Sequence, residues 1–131
     1  MILARINALA ALMAALAVLS SPALAVSLDG EWRGSGTVQV TNGNRERVTC
    51  RVSYSRQSSR VYGFHAVCAS TSVRVIQNGV VSQASANSYV GTTHNPEYNV
   101  SGRIRIVVSG GSQTVTVRAD QGSGRIVLRK R

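Results

Sequence analysis

Carboxylates are scarce in this 131-residue chain: five Asp and Glu stand against fifteen Lys and Arg, a formal net charge of +10. The five are Asp29, Glu31, Glu46, Glu97 and Asp120, and the sequence places no two of them together for general acid/base work. Histidine is limited to His65, in a strand pattern, and His94, in a turn before Asn95-Pro96. Neither has acids at metal-ligand spacing, so no metal site is assigned. Serine is common, yet no Gly-x-Ser-x-Gly elbow occurs. Gly34-Ser35-Gly36 and Gly122-Ser123-Gly124 lack the following helix start that a phosphate loop needs. No catalytic residue and no cofactor are implied, and an enzyme is the last of the readings.

Long apolar runs are also missing, except for one at the N-terminus. Arg5 precedes an almost unbroken apolar run from Ile6 to Leu19, Ser20-Ser21-Pro22 interrupts it, and Ala23-Leu24-Ala25 is a small-x-small cleavage pattern. About 14 apolar residues is short for a membrane span that wants roughly 20. Residues 1–25 are therefore expected to be a signal peptide, with a mature chain of one domain, residues 26–131, beginning at Val26. No cysteine follows the site to carry a lipid. The expected location is periplasmic or secreted, with no transmembrane segment after cleavage. Without Arg5 the charge is about +9, which draws a protein toward polyanions. Anionic envelope glycans, lipid headgroups or an envelope protein are the expected partners, and nucleic acid is not.

Beyond Val26 a helical period is absent. Val, Ser, Thr, Arg and Gly dominate, and apolar residues recur with period two. Eight strands are predicted, over 30–40, 46–56, 60–69, 72–83, 88–93, 98–109, 113–119 and 123–130, separated by turn-forming Asn, Gly, Ser and Pro. Asn78-Gly79 inside the fourth is read as part of one strand; a tight turn there would make nine. Leu28, Gly30, Trp32, Gly34, Gly36, Val38 and Val40 share one face of the first strand, and Glu31, Arg33, Ser35, Thr37 and Gln39 the other. Arginine on the outward positions is costly against lipid, and aromatic girdles are missing, which argues against a transmembrane barrel. An inward apolar face closed on itself makes an all-β, antiparallel up-and-down barrel.

Only two cysteines occur, and their spacing is informative. A three-residue loop, Ser58-Ser59-Arg60, sets Tyr54 opposite Phe64, Val52 opposite Ala66 and Cys50 opposite Cys68, within bridging reach. A loop one residue longer or shorter would point the sulfurs to opposite faces. The same counting across the first hairpin sets Gly36 beside Cys50. A redox role is not supported, since there is no Cys-x-x-Cys.

Counting also arranges the arginines. A Gly110-Gly111 turn puts Arg103 opposite Arg118, and a Gln121-Gly122 turn puts Arg118 opposite Arg125, a row of three with Arg105 and Arg129 nearby. Arg103, Arg105, Arg118 and Arg125 are thus candidate anion-binding residues, or else a charged, solvated face. Trp32, Tyr54, Tyr62, Phe64 and Tyr98 are the candidate interior, ligand-facing residues. With about 106 residues and few large side chains, a filled interior is expected over a roomy one. The residues point to binding: of an anionic polymer outside, or of a small apolar ligand inside. A protein-interaction or protease-inhibitor barrel is the alternative.

Leu28-Asp29-Gly30-Glu31-Trp32 carries a Gly-x-Trp opening that resembles calycin-type barrels: lipocalins, avidins and small bacterial metalloprotease inhibitors. The resemblance implies that Trp32 closes one barrel end under a basic residue of the last strand, here Arg129, in a cation–π contact. More of the chain is similar to short secreted bacterial proteins with a Leu-x-Gly-x-Trp-x-Gly opening, paired cysteines and a segment like Glu97-Tyr98-Asn99-Val100-Ser101-Gly102, which implies a fold and no activity. Two departures stand out. Only Val26 to Asp29 precede the first strand, too little for an inhibitory arm, and the avidin ligand-binding pattern has no match.

Overall fold

The computed structural model describes residues 27–131; the signal pattern of residues 1–25 and the expected start at Val26 lie outside the described residues. The described chain forms eight strands: β1 (Gly30–Val40), β2 (Arg45–Arg56), β3 (Val61–Ala69), β4 (Arg74–Ser85), β5 (Ser88–Asn95), β6 (Val100–Ser109), β7 (Ser112–Ala119) and β8 (Gly122–Lys130). Each pairs antiparallel with the next, and β8 returns to β1, closing the barrel. Asn78-Gly79 continues β4 with an unbroken register on both sides. Gly79 is needed there for closeness, not for a turn, because a Cβ would strike the Thr92 carbonyl and the Phe64 ring.

Closure depends on β1. Gly34 and Gly36 leave room for the β8 backbone, and a Cβ on either would collide with the carbonyl of Val127 or Arg125. Two adjacent glycines of the same parity let the sheet bend tightly where its last strand meets its first.

The β2–β3 hairpin has the counted register: Tyr54 faces Phe64, Val52 faces Ala66, and Cys50 is bonded to Cys68 at a Cα separation of 4.1 Å. Two other registers differ from the counting by two residues. Gly34, not Gly36, stands opposite Cys50. The reason is a tighter turn: Val40 N–H donates to the Asn44 carbonyl at 3.0 Å, and Gly43 takes a φ of 99°. At β7–β8 the turn is Asp120-Gln121, so Arg118 faces Ser123 and Arg125 faces Thr116. The two turns hold one another: Thr41 donates its N–H to the Gln121 carbonyl (3.0 Å) and its hydroxyl to the Asp120 carbonyl (2.8 Å).

Strand polarity gives the barrel two ends. One gathers the start of β1, the β2–β3, β4–β5 and β6–β7 turns and the end of β8. The other gathers the β1–β2, β3–β4, β5–β6 and β7–β8 turns. The first is packed solid, with Leu28, Trp32, Tyr62, Tyr89, Val81 and Ile106 nearly or completely buried. The second is hollow. The expectation of a filled interior is therefore corrected: large side chains fill one half only.

A cavity closed at one end

The closed end starts just before β1. The Leu28 carbonyl accepts the Trp32 indole N–H at 2.9 Å, fixing the ring across the barrel floor. Tyr62 meets Tyr89 edge to face at 5.7 Å, and Arg56 donates to the Tyr62 hydroxyl at 2.7 Å. The base over the Trp32 ring is Lys130, at 5.8 Å, and not Arg129. Parity decides this. Trp32 points inward, so its cover must share the parity of Ile126 and Leu128; Arg129 points out, opposite Arg33 and Ser112.

Above this plug lies a polar pair that the sequence reading missed. The Tyr54 hydroxyl donates to Gln113 Oε1 at 2.6 Å, with both side chains buried. Burial pushes the Tyr54 phenol well above its ordinary pKa, against a smaller downward pull from that hydrogen bond. Gln113 Nε2 is buried and has no hydrogen-bond partner among the described residues. Gln113 alternates with Val115 and Val117, so its inward direction was readable.

Over Tyr54, Phe64 and Leu128 opens a cavity of about 310 Å3. Its walls are Val48, Val52, Ala66, Val115, Ile126 and the Cys50–Cys68 bridge, and Val38, Val75, Val100 and Val117 surround the mouth. Few polar groups reach it. Thr93 donates to Gln77 Oε1 at 2.8 Å, and Glu46 accepts from Ser72 (2.6 Å) and Ser70 (3.3 Å), tying the β3–β4 turn to β2. Pockets of this size with a small polar minority suit small organic ligands.

Of the five aromatics expected inside, Tyr54 and Phe64 line the cavity, while Trp32 and Tyr62 belong to the closed end. Tyr98 is a correction: it is 55% exposed in the β5–β6 turn. The Asn95 side chain, buried at the end of β5, accepts the N–H groups of Glu97 (2.9 Å) and Tyr98 (3.0 Å), and Asn99 takes a φ of 52°. That turn ends the strand period before Tyr98 can use it. His94 is likewise in β5, with its Nδ1 2.9 Å from the Ser101 hydroxyl.

The arginine row is rearranged. Arg103 faces Arg118 as counted, but Arg125 stands between Thr116 and Thr37, and Arg105 faces Thr116 from the other side. All four are exposed. The three arginines in direct succession are Arg51, Arg33 and Arg129, across β2, β1 and β8.

No protein-family model and no curated protein sequence matches this chain. Solved structures do. It is similar to a redesigned β-barrel, mFAP1, bound to DFHBI (TM-score 0.67, 13% identity, covering 79% of this chain and 94% of that one). It is similar also to the redesigned barrel mFAP0 bound to DFHBI (0.65, 15%, 79% and 98%) and to Rv2717c from M. tuberculosis (0.55, 11%, 79% and 92%). At these identities the likeness is one of fold: a closed antiparallel barrel, the architecture that the Gly-x-Trp resemblance implied.

Proposed function

We propose that this protein is an exported, non-enzymatic binding module that holds one small, mostly apolar molecule in its open-end cavity. The observation that carries the reading is the division of the interior. A barrel needing only stability would fill both halves, because an empty apolar volume loses dispersion contacts and costs stability. Here Leu28, Trp32, Tyr62 and Tyr89 pack one end, and at the other, over a floor of Tyr54, Phe64 and Leu128, walls built largely of valines, Ala66 and a disulfide enclose about 310 Å3. Gln77, Thr93 and Glu46 supply the few polar contacts that would orient a ligand. The redesigned barrels that share the fold hold DFHBI, which supports the use of such an architecture for a compact organic molecule. Export is supported by the signal pattern and by the disulfide, which persists in oxidising compartments.

Native mass spectrometry of protein purified from its own host tests this. A retained molecule, released by unfolding and absent from an Ala66→Trp variant whose new ring fills the cavity, is the expected outcome. An empty protein that also takes up no apolar dye would contradict it.

A further inference from the structure

A second site lies on the outside of the barrel, and it does not depend on the interior reading. The outer faces of β6, β7, β8, β1 and β2 carry nine arginines, whereas β3, β4 and β5 carry only Arg74. The registers order six of the nine into two neighbouring rows. One runs Arg47, Thr37, Arg125, Thr116, Arg105 across β2, β1, β8, β7 and β6. The other runs Arg45, Gln39, Ser123, Arg118, Arg103 across the same strands. All six arginines are exposed, and the one ion pair among the described residues, Arg56 with Asp29, lies elsewhere. Arg47 and Arg45 make only long contacts, 3.4 Å each, to Ser35 and Gln39.

The rows are not flat. A groove of about 860 Å3 runs over β1, β7 and β8, lined by Arg45, Arg118 and Arg125 with Thr37, Thr116 and Ser123 among the residues between them; Asp120 is its one acid. In the first row each arginine is separated from the next by a threonine strand, so the charges repeat at about 10 Å given strands ~4.8 Å apart. We propose that this face binds a linear acidic glycan. Each part of the surface fits that chemistry. Guanidinium groups pair with carboxylate or sulfate, and the intervening hydroxyls and amide hydrogen-bond to sugar hydroxyls. The spaced charges suit a polymer with an acid on alternate sugars. Single-stranded nucleic acid is a poorer occupant, because no aromatic side chain stands in either row for a base to stack on. A bilayer is poorer too, since Arg45, Arg118 and Arg125 line the groove and a flat anionic surface reaches only its rims.

The test uses a hyaluronan oligosaccharide, one carboxylate per disaccharide, titrated between about 50 and 200 mM salt, the range over which polyanion contacts weaken steeply. Two triple variants lose the same charge. Arg47→Gln, Arg105→Gln and Arg125→Gln should weaken binding roughly tenfold or more at the low-salt end and leave a shallower salt dependence than that of the wild type. Arg33→Gln, Arg51→Gln and Arg129→Gln, at the closed end, should change binding little. Equal losses from the two triples would overturn the proposal, leaving net charge as the cause. Tighter binding of oligodeoxythymidylate or of phosphatidylglycerol vesicles than of the glycan would overturn it in favour of those occupants. If either triple fails to fold, phenylglyoxal labelling of the wild type decides: the glycan should protect Arg47, Arg105 and Arg125 and leave Arg51 and Arg129 reactive, and uniform or absent protection would contradict the site.

Discussion

The same eight strands build a solid end and a hollow one, and the contrast is in where bulk is placed along them. Trp32 at the start of β1, Tyr62 at the start of β3, Tyr89 at the start of β5 and Leu128 near the end of β8 all fall at one end because alternate strands run in opposite directions. At the other end the inward positions include Val38, Val75, Val100, Val117 and the glycines at 122 and 124. Stability is thus concentrated at the closed end, leaving the open end to give up packing for space. Substitutions at the two ends should differ accordingly.

The largest difference is expected between Trp32→Ala and Val75→Ala. Emptying the fully buried Trp32 site should cost about 3–5 kcal/mol, a fall of roughly 15–30 °C in Tm for a domain of this size. Val75 already faces open space, so its truncation should cost less than about 1 kcal/mol. Thermal melts of both variants decide, and equal losses would break the comparison. Next is the bridge, which ties the hollow wall from β2 to β3 at a sequence separation of 18. The double change Cys50→Ala, Cys68→Ala should cost about 3 kcal/mol, with hydrogen exchange rising most in the open-end parts of β2 and β3.

At the boundary between the halves, Tyr54→Phe leaves Gln113 without its partner and should cost about 1–3 kcal/mol. Adding Gln113→Leu should recover most of that loss, because both orphaned groups are then gone, and urea titration of the single and double variants measures it. The same tyrosine sets an alkaline limit. The folded state keeps the phenolic proton that the unfolded chain releases above about pH 10, so the contribution of Tyr54 to stability is level below that pH and declines as pH rises further. Tyr54→Phe should soften the decline. The smallest effect is expected at Asp29, whose carboxylate pairs with Arg56 at 3.4 Å while both are about half exposed. Asp29→Asn should cost under about 1 kcal/mol in the same titration.

How far the sequence led differs from region to region for a physical reason. Strand count and facing follow from alternation, so the eight strands and the bridged pair Cys50 and Cys68 were readable. Register within a hairpin was readable only modulo two. Sliding β8 by two residues past β7 keeps Val115 and Val117 inward and Arg118 outward, so the pattern cannot reject it. The choice is made by the Thr41 hydrogen bonds between two turns far apart in sequence. Lys130 over Trp32 was available from parity, as was Gln113. Tyr98 was not, because the Asn95 side chain ends the strand locally by accepting two backbone N–H groups. The cavity is a sum over eight strands and needed their polarity as well as their pattern.

Methyl NMR during titration with an apolar dye tests the central claim most directly. Saturable shifts confined to Val48, Val75, Val115, Val117 and Ala66, with Leu28, Val81 and Ile106 unmoved, are the result expected of a barrel hollow at one end. Shifts that spread over both ends, or no saturable shift in the cavity methyls, would contradict it.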